Sequence, residues 1–446
     1  MLIESASEVL HMNSRSFFLI ALTIISMAYG IASQKYQWFP APQARAVIGQ
    51  ARLALDELFF SGERWYYLPS EGRALVPTYE AEQVQPGFTL ITGIAQDNTL
   101  QIRIVSFKGE IIHKWNVDWY SIWPDAEHLP QYLQPKGKPG THIHGSKLMD
   151  NGDIVFNFEN LGLVRLNACG ETVFKLPYLT HHAINVDDNG HFWLPGRVDY
   201  VTSLSDFPNY IPPFKDDTVI EVTNDGHLVR EISVMKLLND NGYAGLMYLA
   251  AAGTKETYVS GDVYHMNDVE VFPSHLNQGV FRHGDIMVSL RNINTVFIFN
   301  KDTLKIRYLT TGKFVRQHDP DFIDGNTISV YDNNHIAPDD FGHNSRIVLV
   351  NADTNEVSTY FEGNDEVPFY SHKMGKHQWL ENGNLLVLES MNGRVFELSK
   401  EKGIVWEYNN IIEGSEVVGI MEGAERISLK FNKAFFSNKL ASCKPH

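Results

Sequence analysis

Residues 379–408 read WLENGNLLVLESMNGRVFELSKEKGIVWEY, and this stretch decides the fold. Asn382-Gly383 stands between two apolar runs, the strongest local signal for a tight β-hairpin turn. Leu385-Leu386-Val387-Leu388 is apolar on both faces, as a strand covered from both sides must be. A second hairpin follows, FELSKEKGIVWEY (396–408), turning at Lys402-Gly403. The same second hairpin recurs as IVSFKGEIIHKW (104–115), VRLNACGETVFKL (164–176), IEVTNDGHLVREI (220–232), FIFNKDTLKIRYL (297–309) and VLVNADTNEVSTYF (348–361). The first hairpin recurs as KLMDNGDIVFNF (147–158), INVDDNGHFWL (184–194), FRHGDIMVSL (281–290) and DFIDGNTISVY (321–331). Two hairpins make one four-stranded antiparallel sheet, repeated at intervals of roughly 50 to 75 residues, the period of a β-propeller blade. Six copies predict an all-β, six-bladed β-propeller. The first blade lacks an obvious first hairpin, so its missing strand is expected from residues 422–436, closing the ring.

At the other end, residues 16–34 carry no charge and include FFLIALTII (17–25). Nineteen residues at the helical rise just span a hydrocarbon core. The segment reads as a transmembrane or signal-anchor helix, or as a signal peptide cut near Ala32 or Ser33. Residues 41–60 read as an amphipathic helix with Val47, Ala51, Ala54, Leu55 and Leu58 on one face. The expected order is therefore a tail (1–15), the apolar helix (16–34), a helical stalk or linker (35–85), the propeller (86–436) and a C-terminal tail (437–446). With 53 acidic against 37 basic residues the net charge is −16, which disfavours nucleic acid as a partner. Two cysteines, Cys169 and Cys443, are too few for a CxxC metal site and could form one disulfide or none.

The chemistry-bearing residues cluster just before the first hairpins. Thr141-His142-Ile143-His144, Thr180-His181-His182, Tyr264-His265-Met266-Asn267, Gln317-His318-Asp319-Pro320 and Lys376-His377-Gln378 all stand at the start of an innermost strand. Innermost strands ring the channel, so these side chains are expected to converge at one mouth. Arg291 ends the apolar strand of the fourth blade, in Ser289-Leu290-Arg291-Asn292. A guanidinium fork among histidines suits a tetrahedral oxyanion.

These stretches, namely THHAINVDDNG, YHMNDVEVFP, GDIMVSLRNINTVFIFN, RQHDPDFIDGNTISVYDN, SRIVLVNADTNEV and GKHQWLENGNLLVLESMNGRVFELS, resemble the bacterial aryl-sulfate sulfotransferases over residues 86–410. The resemblance implies a periplasmic propeller that moves a sulfuryl group from an aryl sulfate donor to a phenolic acceptor, without nucleotide-activated sulfate. It implies His318 as the nucleophile forming a sulfohistidine. His265 and Asn267 would hold the sulfuryl oxygens and assist proton transfer, Arg291 would clamp them, and His182 rather than His181 would complete the site. His142, His144 and His377 are possible additional channel residues. No metal and no cofactor is implied. The family's larger members carry a separate N-terminal pairing domain, whereas a short helical stretch is expected ahead of the propeller here, so no oligomeric state follows.

Two other readings stand beside this one. His142, His182, His265 and His318 could form a four-histidine ring for a metal, although Asp268 and Asp319, as strand neighbours of histidines, are poorly placed to orient them. Alternatively, a membrane-tethered propeller could bind partners without catalysis, with Trp119, Tyr120, Trp123 and Tyr132 forming a rim or a lid.

Overall fold

The computed structural model describes residues 14–36, 39, 66–95, 99–251, 257–336 and 344–443. The alternating runs pair into six antiparallel sheets that form a six-bladed propeller. Blade 2 comprises Ile143–Leu148, Ile154–Phe158, Gly162–Leu166 and Thr172–Leu176, innermost strand first. Blade 4 comprises Met266–Val271, Asp285–Leu290, Thr295–Asn300 and Ile306–Thr311. Blade 5 runs His318–Phe322, Thr327–Asp332, Arg346–Asn351 and Val357–Glu362. Blade 6 runs Lys376–Trp379, Leu385–Glu389, Arg394–Leu398 and Ile404–Asn409. Leu385–Glu389 is buried throughout, because sheets cover both its faces, whereas the outermost strand of blade 5, Val357–Glu362, is largely exposed.

Blade 3 differs. Its strands Phe192–Tyr200 and Tyr210–Val222 are long, and Val259–Asp262 joins the latter in parallel as a fifth strand. This addition delivers Asp262 to the channel mouth, a placement that no hairpin signal foretells.

The ring closes as expected in kind. Met421–Ile427 pairs antiparallel with Phe88–Ile94 and becomes the innermost strand of blade 1. The strand stops at Ile427, short of the expected 436, because Asn432 caps a helix over Lys433–Leu440 by accepting from the Phe435 amide. Phe436 of that helix stacks on His113 of blade 1 at 4.0 Å, and Cys443 then bonds Cys169 of blade 2. The C-terminal helix is thereby fastened to the first two blades.

One boundary is moved by pairing. Residues 66–85, assigned to the linker on sequence, lie on the propeller. Tyr67–Pro69 pairs with Val417–Gly419, and Thr78–Tyr79 adds a fifth strand to the outer edge of blade 6. Strands of two and three residues are too short for periodicity to reveal. The aromatic loop after blade 1 is no exposed rim. Trp119 and Trp123 are buried among Leu129, Leu133 and the strands of blades 1 and 2, with Tyr120 and Tyr132 packed against them.

The N-terminal helix spans Ser14–Tyr36, slightly beyond the expected 16–34, and its stretch Arg15–Ser33 is long and apolar enough to cross a membrane, with mean hydropathy 1.9. Phe17, Phe18, Leu19, Ile24 and Ile25 are all exposed on it. The amphipathic helix expected at 41–60 lies outside the described residues.

Candidate functional site

The innermost strands are not regular where they reach the channel mouth. The ladder slips between Met421 and Gly423 in blade 1, Ile143 and Gly145 in blade 2, Met266 and Asp268 in blade 4, and His318 and Asp321 in blade 5. A β-bulge leaves an extra residue out of the pairing and re-aims its side chain. The residues so displaced are Glu422, His144, Asn267 and the Asp319-Pro320 pair. Pro320 has no amide to lose, which suits it to this position. Backbone in the left-handed region accompanies the bulges at His182 (φ 56), His265 (φ 52), Asp319 (φ 45) and Met374 (φ 59). Such conformations in non-glycine residues are costly and collect at functional sites. Gly145 permits one close approach, since a Cβ there would collide with the carbonyl oxygen of His182.

The outcome is a small cavity of about 20 Å³ at the channel mouth, lined by His144, His182, Asn267, His318, Lys376 and Glu422, among others. Of the residues singled out on sequence, His182, Asn267 and His318 face it directly, and so does His144. The His182 ring packs edge-on against that of His265 at 5.2 Å and tilted against that of His144 at 3.7 Å. His181 lies behind, its Nδ1 2.7 Å from Nδ1 of His182 and its Nε2 3.7 Å from Asp217. Arg291 is not on the cavity wall, but its charge acts on both His265 and His318.

His318 is held on one side only. Its Nδ1 lies 2.6 Å from Oδ1 of Asn333 and 3.1 Å from the carbonyl oxygen of Arg316, whereas its buried Nε2 has no partner among the described residues. Burial, and then Arg291, pull its pKa down to about 3, so the ring is neutral at pH 7. His265 is oriented by a carboxylate, with Nδ1 2.5 Å from Asp262. Burial and Arg291 lower its pKa while Asp262 opposes them. The Arg291 guanidinium is brought down to about 10 by burial, remains charged at neutral pH, and keeps its buried Nε unpaired among the described residues. Asn267 donates from Nδ2 to the carbonyl oxygen of Gln317 at 2.7 Å, leaving one amide hydrogen for another acceptor.

His142 is set apart from the cavity by its partners. Nδ1 lies 2.9 Å from Glu422, and Nε2 makes a short bond to Glu159. Burial would depress its pKa, but the two carboxylates overcome this and push it up to about 10. The imidazolium is therefore a bridge between blades 1 and 2. Below pH 6.5 it is charged in the folded and the unfolded chain alike and its stabilisation is complete; as pH rises towards about 10 the unfolded chain loses this proton first and the stabilisation is lost. Between pH 6.5 and 9.5 the melting temperature of the wild type should fall more than that of His142→Gln, by roughly 5 °C. Equal slopes in a melting series over this range would contradict the bridge.

His377 does not join the cluster. Blade 6 has no bulge, so strict alternation turns Lys376 to the cavity and His377 the other way. His377 contacts Ser329 at 2.7 Å, Asp319 at 3.2 Å and Asp321 at 3.4 Å. Lys376 pairs with Asp319 at 2.8 Å. The four-histidine metal ring is likewise not assembled. His142 has a carboxylate on each ring nitrogen, and the groupings with metal-like spacing among the described residues are His142–His144–Glu159, Asp187–His191–Glu221 and Asp319–Asp321–His377.

The sequence model of the family described as Arylsulfotransferase (ASST) matches residues 145–411, more than half of the chain. The chain belongs to the arylsulfotransferase family. The match takes in His182, His265, Asn267, Arg291 and His318, whereas His142, His144 and Glu422 lie outside it. No curated protein matches the chain. Among solved structures, this arylsulfotransferase is similar to a protein of unknown function from Bacteroides caccae, at 12% identity and TM-score 0.44, covering 75% of this chain and 98% of that one. It is also similar to TolB from Acinetobacter baumannii, at 10% identity and TM-score 0.43, covering 77% and 67%.

Several residues around the cavity were missed on sequence. Asp262 arrives on the unforeseen fifth strand of blade 3, Glu159 follows the second strand of blade 2 in the hairpin that begins beside His142, and Glu422 arrives by the pairing of distant segments. A set of asparagine amides bridges neighbouring blades at the mouth. Asn157 donates to the His182 carbonyl oxygen, Asn267 to that of Gln317, Asn333 to those of Ser371 and Met374, and Asn410 to those of Ile94 and Gly419. Gln317 adds bonds to Ser289 and Thr295 of blade 4. Asparagine is unfavourable within strands, so its presence inside strands such as Ile154–Phe158 was the available signal.

Proposed function

We propose that the cavity at the channel mouth transfers a sulfuryl group from an aryl sulfate to a phenol through a sulfohistidine on His318. The observation that carries this reading is the neutral, buried His318 with an unpaired Nε2 at the cavity. Family membership supports sulfotransferase activity in general.

In the first half-reaction Nε2 of His318 forms a bond to sulfur while the bond from sulfur to the aryl oxygen breaks. The electron pair departs on that oxygen as a phenolate, which takes a proton from the cationic form of His265. Asp262 favours that form, but burial and Arg291 outweigh it and lower the pKa, so at neutral pH the step draws on the minor, protonated population. In the second half the acceptor phenol attacks the same sulfur, the nitrogen–sulfur bond breaks, and its pair returns to Nε2. The acceptor's proton passes to His265, which ends as it began. The covalent adduct splits one hard transfer into two. The second amide hydrogen of Asn267 meets the negative charge on the sulfuryl oxygens, and the charge of the buried Arg291 guanidinium, off the cavity wall, favours it at longer range. His182 and His144 form the wall against which the sulfuryl group is held.

The Cys169–Cys443 disulfide supports an oxidising, extracytoplasmic location for the propeller, with the helix Ser14–Tyr36 as its membrane tether. A direct assay tests the reading. Incubation with 4-nitrophenyl sulfate and excess phenol should release nitrophenol and form phenyl sulfate, equally with and without chelator. Incubation with donor alone should give about one equivalent of nitrophenol per chain and a mass increase of one sulfuryl group on the peptide containing His318. No turnover with any aryl sulfate would overturn the proposal, and loss of turnover on chelation would turn attention to a metal.

A further inference from the structure

We infer that Asn333 is a positioning residue that keeps the proton of the His318 ring on Nδ1 and so presents Nε2 as the attacking atom. The inference rests on the sulfohistidine reading above.

Hydrogen-bond chemistry fixes the direction of every bond in the chain of contacts. Asn333 follows the second strand of blade 5 and is wholly buried. Its Nδ2 lies 2.8 Å from the carbonyl oxygen of Ser371 and 2.7 Å from that of Met374. A carbonyl oxygen can only accept, so the amide nitrogen must face these two and Oδ1 must face His318. Oδ1 can also only accept, at 2.6 Å from Nδ1. The ring must therefore donate from Nδ1, and its lone pair is on Nε2, which is buried and unpaired among the described residues. The carbonyl of Arg316, at 3.1 Å, supports the same tautomer from a longer distance.

The backbone at Asn333 is itself tied down. Ser345 donates from Oγ to the Asn333 carbonyl oxygen at 3.1 Å and accepts from the Ser371 amide at 2.9 Å. The segment leading into blade 6, which supplies Met374, Gly375 and Lys376 to the cavity wall, thus sets the orientation of the amide. The proton on Nδ1 serves both half-reactions. In the first, it leaves Nε2 free to bond sulfur. In the second, it makes the adduct a sulfuryl imidazolium, whose nitrogen–sulfur bond breaks to return a neutral imidazole rather than an imidazolate.

The test uses the full chain labelled with ¹⁵N-histidine, with the His318 signals assigned by their loss in His318→Ala. In the wild type, Nδ1 should be protonated and Nε2 not. In Asn333→Ala, a population protonated on Nε2 should emerge, kcat should fall on the order of 10²-fold and KM should change less than threefold. Asn333→Asp, which keeps an accepting oxygen at Nδ1, should restore the wild-type tautomer and recover at least tenfold in kcat over the alanine variant. A wild-type ring protonated on Nε2 would overturn the inference without any variant needing to fold. So would a shifted tautomer with undiminished kcat, or a lowered kcat with an unchanged tautomer. Retained turnover in His318→Ala overturns the sulfohistidine reading instead, and leaves the tautomer measurement standing.

Discussion

Replacing His318 with alanine is expected to abolish sulfuryl transfer, lowering kcat by a factor on the order of 10⁵. The loss should be this large because the proposed adduct forms on the His318 Nε2, which is unpaired among the described residues in a ring that lines the cavity, and the covalent route is lost with that atom. The burst of nitrophenol with donor alone should vanish together with steady-state turnover, which separates loss of the nucleophile from slowed release. The neutral state of His318 extends down to about pH 3, since burial and Arg291 lower its pKa. An acid limb in the wild-type rate profile near pH 6 should therefore belong to another group. Circular dichroism should show the propeller intact, and added imidazole should recover part of the turnover by entering the vacated space. A His318→Ala protein with a normal burst would remove His318 from the chemistry.

Replacing Arg291 with methionine is expected to lower kcat by a factor on the order of 10²–10³, the loss typical for one group that stabilises developing charge. The turn should survive the change. The Arg291 amide donates to the His265 carbonyl oxygen at 3.2 Å and the Asn292 amide to that of Tyr264 at 2.9 Å, and neither bond needs the guanidinium. Among the described residues the Arg291 side chain makes one hydrogen bond, a 3.4 Å contact with Asn292, beside the charge of Asp262, so its removal disrupts little structure. Arg291→Lys should recover the charge but not the planar fork, and should fall between the two. There is a second, independent readout. After burial, Arg291 is the next cause of the low pKa of His318 and of His265, so its removal should raise both, moving the acid limb of kcat/KM set by His318 and the alkaline limb set by His265 to higher pH. An Arg291→Met enzyme with unchanged kcat and an unchanged acid limb would show that the guanidinium takes no part.

How much of this was legible beforehand depends on the range over which each feature is specified. The six blades were legible because Asn-Gly and Asp-Gly turns, and apolar runs on either side of them, are local and repeat. The cluster of histidines at the channel mouth was legible because each stands at the same phase of a strand. Phase failed at His377, where the strand has no bulge and alternation turns the ring towards Asp319 and Asp321. Asp262 and Glu422 were not legible as partners. Asp262 depends on a parallel strand added from outside the repeat, and Glu422 on the strand that closes the ring. The carboxylates expected to orient the histidines poorly, Asp268 and Asp319, were rightly set aside for that role at His265 and His318, whose partners are Asp262 and Asn333.

The sequence by itself determined the blade, its sixfold repetition, the apolar N-terminal helix and the types of residue that gather at the channel mouth. These follow from turn chemistry and hydrophobic period, which act over a few residues. The tertiary structure alone decided which ring nitrogen is free, which histidine is an imidazolium bridge and which is a neutral ring, and whether Cys169 meets Cys443. Those properties depend on burial and on the one or two polar atoms within hydrogen-bond reach. The atoms concerned are 280 residues away along the chain for His142 and Glu422, and 274 for the two cysteines.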